Sequence, residues 1–232
     1  MICFEKVSFS YDEDNPVLRQ VEWEVTSGMT LLLGPNGCGK STLLKLASGV
    51  EKPDSGKILI NGFDVWKKEV EARKSLAYLP EQPDLTPYAT IKEILHLVCR
   101  LRGEALSEAD RVLDFFGLQQ VSDRTVRELS MGQRRRAVFS ALLIGEPENM
   151  LLDEPLEGMD RNIQHEILGW ILNRKQAGAF MVVVSHTLEP FVEMASTACV
   201  IREGRLKVYQ DLPEESEERM IMLDELSKGK SL

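Results

Sequence analysis

Gly34, Gly39, Lys40 and Ser41 stand at the fixed positions of G-x-x-x-x-G-K-[ST] within the run GPNGCGKST, Gly34 to Thr42. That spacing builds a cradle for a chain of phosphates. The glycines let the backbone curl until several N–H groups converge on one anion. A helix that starts at the loop adds the positive end of its dipole. Lys40 brings a mobile positive charge for the β- and γ-phosphates, and the Ser41 hydroxyl can ligate Mg²⁺. Pro35, Asn36, Gly37 and Cys38 fill the loop between the fixed positions, and Thr42 follows them. A plain glycine-rich turn is the alternative. The apolar run Met29 to Leu33 before the loop and the apolar-patterned LLKLASGV after it argue against that. A nucleoside triphosphate is the implied ligand.

Two further stretches carry candidate chemistry. Asn149 to Pro155 reads NMLLDEP, an apolar strand that ends in adjacent carboxylates. At the carboxyl end of a parallel sheet, Asp153 can hold Mg²⁺ through its water shell. Glu154 can take a proton from an attacking water. Leu129-Ser130-Met131-Gly132-Gln133 heads the helix RRRAVFSALLIG. Ser130 occupies a cap position, and Gly132 permits close backbone approach to an anion. By itself that stretch is a capped helix. Arg134-Arg135-Arg136 is read as a solvated helix face, because no aromatics interleave it. Cys38, though near a helix start, is read as an inert small residue.

These groups need a scaffold that brings strand ends and helix starts together. Ile2 and Phe4, Val7 and Phe9, then Val21, Trp23 and Val25 recur with period two, which predicts antiparallel strands. Thr26-Ser27-Gly28 and Pro53-Asp54-Ser55-Gly56 read as turns, and KILI ends at the turn pair Asn61-Gly62. Ser75 to Leu79 is expected as a strand. From Pro83 to Leu129 the spacing is helical, with Ile91, Ile94, Leu95, Val98 and Leu101 on one stripe and Val112, Leu113, Phe115 and Phe116 on another. Strands are then expected at Met150 to Leu152, Phe180 to Val184 and Ala198 to Ile201. Helices are expected at Gln133 to Ile144 and Ile163 to Gln176. Alternating strands and helices imply a parallel sheet with right-handed crossovers. The fold class is α/β: a P-loop core with a mixed or parallel sheet, an N-terminal antiparallel subdomain and a small helical insertion. The domain expectation is one unit over 1–232, with core at 1–82 and 130–212, insertion at 83–129 and tail at 213–232.

Composition narrows the class. Of the 232 residues, 43% are hydrophobic and 28% charged, ordinary for a globular chain with a real core. No apolar run approaches the roughly 20 residues that span a bilayer. The start, MICFEKVSFSYDED, has no basic-then-apolar leader pattern, so cytosolic residence is expected. Four scattered cysteines form no CxxC pair, which argues against a zinc site or a disulfide framework. A net charge of −9 argues against nucleic acid as the main partner.

A Ser-x-Gly-Gln stretch ahead of an acidic strand and downstream of a phosphate loop resembles the signature motif of the ATP-binding cassette (ABC) ATPases. The resemblance runs from about Phe4 to Val208. It implies ATP and Mg²⁺ as ligands and the following roles. Tyr11 is similar to the aromatic that stacks on adenine, and Gln82, after YLPE, to the loop glutamine that reaches Mg²⁺ and the attacking water. Asp153 resembles the magnesium-associated acid, Glu154 the general base and His186 the switch histidine at the γ-phosphate. Gly158-Met159-Asp160 looks like the loop that meets the opposite subunit. Ser130, Gly132 and Gln133 look like the cap placed over a partner's nucleotide. Met131 replaces the first glycine of the commoner signature, and LEGM between Pro155 and Asp160 departs from commoner wording. His96 and His165 are expected at the surface. The resemblance further implies head-to-tail closure on ATP with a second cassette, identical or related. It also implies a separate transmembrane permease and a place on the cytoplasmic membrane face. The wording YLPEQPDLTPYATIKEIL is similar to that of export-type subunits. A soluble ABC ATPase acting on ribosomes, chromosomes or DNA repair is the alternative.

Overall fold

The computed structural model describes residues 1–12, 15–25, 28–82 and 85–229, so the predicted turn at Thr26-Ser27 lies outside the described residues. The chain forms two compact units. The first comprises Met1–Pro80, Glu148–Pro155 and Leu172–Leu232, and the second Glu81–Pro147 and Leu156–Ile171. The second unit thus takes in more chain than the helical insertion expected at 83–129. Its helices bury apolar faces on segments well downstream of Leu129.

In the first unit, β1 (Ile2–Ser10), β2 (Pro16–Val25), β4 (Ser55–Ile60) and β5 (Phe63–Asp64) form an antiparallel sheet in the order β2-β1-β4-β5. The shift of apolar positions from Ile2 and Phe4 to Val7 and Phe9 has a local cause. Lys6 adopts φ 49°, and the pairing register slips between Phe4 and Val7, so a bulge transfers the inward face from even to odd residues. Gln20, at φ 48°, does the same for β2 between Leu18 and Val21. Gly56 faces the bulge. A Cβ there would lie 2.4 Å from the Lys6 carbonyl oxygen, so only glycine fits.

The second sheet has the order β10-β9-β3-β8-β7-β6. It is built from β3 (Met29–Leu33), β6 (Leu76–Leu79), β7 (Asn149–Asp153), β8 (Phe180–Val184), β9 (Ala195–Arg202) and β10 (Arg205–Tyr209). Five strands pair in parallel, and β10 returns antiparallel on β9. Every residue of β3 and β7 is buried, which explains their mostly apolar sequences. Between the two sheets lies a core that joins Phe4, stacked on Trp23 at 5.5 Å, to Leu43 and Leu46 of α1 (Lys40–Ser48) and to Val182 and Ile201. Short α2 (Glu69–Lys74) and the late α7 (Ser216–Ser227) complete this unit.

The second unit contains α3 (Ile91–Arg102), α4 (Ser107–Phe115), α5 (Met131–Leu143) and α6 (Arg161–Gln176) as far as Ile171. Thr90 and Glu93 close a capping box that starts α3. Leu95, Cys99, Val112, Leu113, Phe116 and Phe139 are buried. The Arg102 guanidinium donates to the carbonyls of Leu142 and Ile144, which supplies partners at the end of α5.

Candidate functional site

The phosphate loop sits between the fully buried β3 and α1. Gly39, at φ 109°, caps α1 in a left-handed conformation, and a Cβ there would lie 2.7 Å from Val17 Cγ1. The last fixed glycine of the motif is therefore required by both backbone and neighbour. No acid occupies the first turn of α1, so the positive end of its dipole is left for an incoming anion. Lys40 Nζ donates to the carbonyls of Gly34 at 2.8 Å and Pro35 at 3.2 Å, which holds the ammonium over the loop. Beside it opens a pocket of about 220 Å³, lined by Gly34, Asn36, Lys40, Ser185, His186 and Ser227. A larger concavity of about 930 Å³ lies on the outer face of the antiparallel sheet among Glu5, Glu22, Glu24 and Lys57. It offers no comparable row of loop amides, so chemistry and not volume selects the smaller one.

Asp153 and Glu154 end β7 and are both buried. Glu154 takes φ 48°, a left-handed turn that costs a non-glycine residue on the order of 1 kcal/mol. Two contacts hold it there. Its N–H donates to the Val184 carbonyl at 2.9 Å, and its Oε1 accepts the His186 N–H at 2.8 Å. The Ser185 hydroxyl lies 3.4 Å from Oε2, and His186 Nε2 lies 3.8 Å from Oε1. Burial pushes the Glu154 carboxyl above the usual glutamate range, opposed by His186 and Ser185. A buried, proton-hungry carboxylate fits a general base. Ser185 and Ser227 were not singled out in the sequence. Both reach the pocket from outside any motif.

A pH dependence follows. If Glu154 serves as a general base it works only when deprotonated, and turnover is then expected to fall in acid as pH drops through the raised Glu154 value. The Ser185 hydroxyl favours the charged form, so Ser185→Ala moves that acid limb to higher pH. The move is less than about one pH unit, given roughly 0.5–1.5 kcal/mol for one hydrogen bond. A pH–rate profile of the variant checks it, and a limb that moves down or stays still counts against Glu154 as the base.

Tyr11 lies at the end of β1 and is 55% exposed, edge-on to Phe9 at 4.9 Å. Its hydroxyl is 3.3 Å from Thr42 Oγ1 in α1. More than half of Tyr11 is therefore accessible to a ligand. Cys38 is half-buried, and burial pushes its thiol above the ordinary value, in keeping with the inert reading.

The remaining predicted residues fall in the second unit. Ser130 caps α5, its hydroxyl accepting the Gln133 N–H at 3.2 Å while Gln133 Oε1 accepts the Ser130 N–H at 3.0 Å. Met131 is 78% exposed, and a Cβ on Gly132 would meet nothing within 4 Å, so the signature turn faces open space. Asp160 caps α6 through the Ile163 N–H at 3.1 Å and pairs with Arg136 at 3.1 Å. Its cap bond, with Arg136 beside it, holds its carboxyl below the usual range. Gln82 is exposed. The structure thus brings Tyr11, the phosphate loop, Asp153, Glu154 and His186 into one unit, and Gln82, Ser130, Gly132, Gln133 and Asp160 into the other.

Two expectations need correction. The arginine run is a solvated face only in part, because Arg134 is exposed and Arg136 partly so, whereas Arg135 is not. Arg135 is buried and donates to the Glu81 carbonyl at 2.9 Å, Arg134 donates to the carbonyls of Leu129 and Arg127, and Arg136 pairs with Asp160. Planar guanidinium groups here serve as carbonyl clamps within the unit. Of the two helical histidines, His165 is exposed as expected, but His96 is half-buried on α3.

A family model described as ABC transporter matches residues 18–157. The chain is 33% identical over 217 residues to the Nod factor export ATP-binding protein I of Burkholderia thailandensis, covering 91% of this chain and 71% of that protein. It is 32% identical over 223 residues to the molybdate/tungstate import ATP-binding protein WtpC of Pyrococcus abyssi, covering 92% and 63%. Among solved structures, the ATP-binding subunit of an ABC transporter superposes with a TM-score of 0.85 at 26% identity, covering 97% of each chain.

Proposed function

Because this chain belongs to the ABC transporter family, among its ATP-binding subunits, we propose that it hydrolyses ATP to drive a separate membrane permease, in an export-type system. The carrying observation is the buried Glu154, fixed by the His186 N–H, with His186 and Lys40 lining one pocket. Loop amides and Lys40 bind the β- and γ-phosphates, and Tyr11 offers a ring to adenine. Glu154 takes the proton of the attacking water, and His186 stands at the γ-phosphate end. Catalysis on this plan is mostly positioning.

The residues present fit a magnesium ion that arrives on the triphosphate. Among the described residues no three His, Cys, Asp or Glu side chains gather into a cage. Mg²⁺ is commonly held by one or two protein groups plus substrate phosphates, and Ser41 and Asp153 are the groups that the first unit offers. When bound, such an ion would neutralise charge on the phosphates. Ser130, Gly132 and Gln133 would cap the nucleotide of a second cassette, with Asp160 on the facing loop. Loss of the γ-phosphate would then release the pair.

Among the described residues no helix is long and apolar enough to cross a membrane. The second unit carries a groove of about 740 Å³ in which Leu85, Pro87, Val126 and Val138 lie beside Gln82, Arg127, Arg134 and Glu157, a mixed surface that could receive an amphipathic segment of the proposed permease. Affinity purification of tagged Glu154→Gln chain from detergent-solubilised membranes with Mg-ATP tests the assignment. A stoichiometric multi-span protein is expected. Recovery of only ribosomal, chromosomal or repair proteins would replace the transport reading with the soluble one.

A further inference from the structure

The Tyr78 hydroxyl is buried, and among the described residues no protein atom accepts its proton. Such a group is costly to leave unmade, so each one calls for an explanation. Its position supplies one. Tyr78 of β6 pairs with Leu151 of the parallel strand β7, and paired residues of parallel strands point to the same face. Asp153 lies two residues beyond Leu151 and therefore shares that face. The Asp153 carboxylate is near enough for its charge to weigh on the phenol, as is the hydroxyl of Tyr11. The Tyr11 hydroxyl in turn sits at Thr42 Oγ1, in the first turn of α1. The Tyr11 contact thus ties this pair of tyrosines to the first turn of α1, the helix that Lys40 and Ser41 open. Tyr11 has a partner. Tyr78 does not.

We propose that Tyr78 is a positioning residue for Asp153, its phenol donating to the carboxylate or to the water shell between Asp153 and a nucleotide-borne divalent cation. The assignment rests on the proposed role of Asp153 as the magnesium-associated acid. It explains why a tyrosine, and not a phenylalanine, occupies a half-buried slot where no described protein atom engages its hydroxyl. A phenol there has one proton to give and no competing acceptor, so it turns toward the added oxygen ligands only when they arrive.

Tyr78→Phe removes that one oxygen. With Mn²⁺ standing in for Mg²⁺, electron paramagnetic resonance of free Mn²⁺ measures metal affinity in the ATP complex of the full chain. We expect metal-free ATP affinity and the melting temperature of Tyr78→Phe to match or exceed the parent's. Its Mn²⁺ affinity should fall about two- to tenfold, the range of one hydrogen bond. Unchanged Mn²⁺ affinity overturns the proposal. So does loss of the melting transition or of metal-free ATP binding, since either makes the phenol a packing group. A parent chain that gains no ATP affinity from Mn²⁺ would remove the metal assignment itself, an outcome separate from failure of Tyr78 alone.

Discussion

Glu154→Gln is expected to leave ATP affinity near the parent value while turnover falls by about 10²–10⁴, the usual weight of a positioned general base. The geometry makes the substitution nearly silent for the fold. The glutamine oxygen can still accept the His186 N–H that Oε1 accepts now at 2.8 Å. The new NH₂ would face the Ser185 hydroxyl, which can accept as well as donate. What disappears is the basic lone pair. A buried charge disappears too, with a thermodynamic sign that can be checked. The folded-state value of Glu154 is raised, so its contribution to stability is full below the unfolded value and is lost as pH rises through the folded one. The glutamine variant avoids that loss. Its melting temperature should equal the parent's in acid and match or exceed it at neutral pH. Steady-state turnover, ATP titration and thermal melts at two pH values together test the assignment. Parent-like turnover would transfer the base role to another group, and parent-like stability with no turnover would rule out simple unfolding.

The parts of this site that were legible in the sequence are the parts whose chemistry is local. Gly34 to Thr42 announces itself because one loop, one strand and one helix start do all the positioning, and the structure places Gly39 where only glycine fits. Asp153 and Glu154 were legible for the same reason. The contact between Glu154 and His186 spans 32 residues and crosses from the end of β7 to the end of β8. Without the family resemblance, nothing in the spacing of those residues predicts it. Ser185 was passed over because a serine at a strand end carries no pattern, and it matters only through the side chain it faces. The arginine triplet shows the opposite error. A run of charges usually means solvent, but Arg135 points inward to the Glu81 carbonyl, an acceptor that exists only once the chain has folded. The shift of apolar phase in β1 was visible in the sequence as two separate pairs. Its cause, a bulge at Lys6 opposite Gly56, required the neighbouring strand. Sheet order is the clearest loss. That β3 lies between β8 and β9 follows from packing among distant segments, which no local period records.

Lys40→Ala is expected to weaken ATP binding by about 10- to 100-fold, since a hydrogen bond to a charged group is worth roughly 1.5–3 kcal/mol. The expected pattern among nucleotides matters more than the size. Lys40 is the first residue of α1, and on the proposed plan its ammonium would serve the outer phosphates. ATP and ADP should therefore both lose affinity, ATP more, while AMP changes little. The same ammonium also links the carbonyls of Gly34 and Pro35. Its removal therefore also loosens the loop, and a uniform loss across all three nucleotides would point to that cause. Lys40→Arg separates the two effects further. It keeps a positive charge but replaces a compact ammonium with a broad planar fork, a poor match for a narrow loop. If charge alone sufficed, arginine would restore ATP affinity. If the ammonium must fit beneath the phosphates while it spans two carbonyls, arginine would fail as badly as alanine. Titration of the three nucleotides against both variants, with melting temperatures alongside, decides between these outcomes. ATP affinity unchanged in Lys40→Ala would remove the phosphate-loop assignment on which the remainder of the site depends.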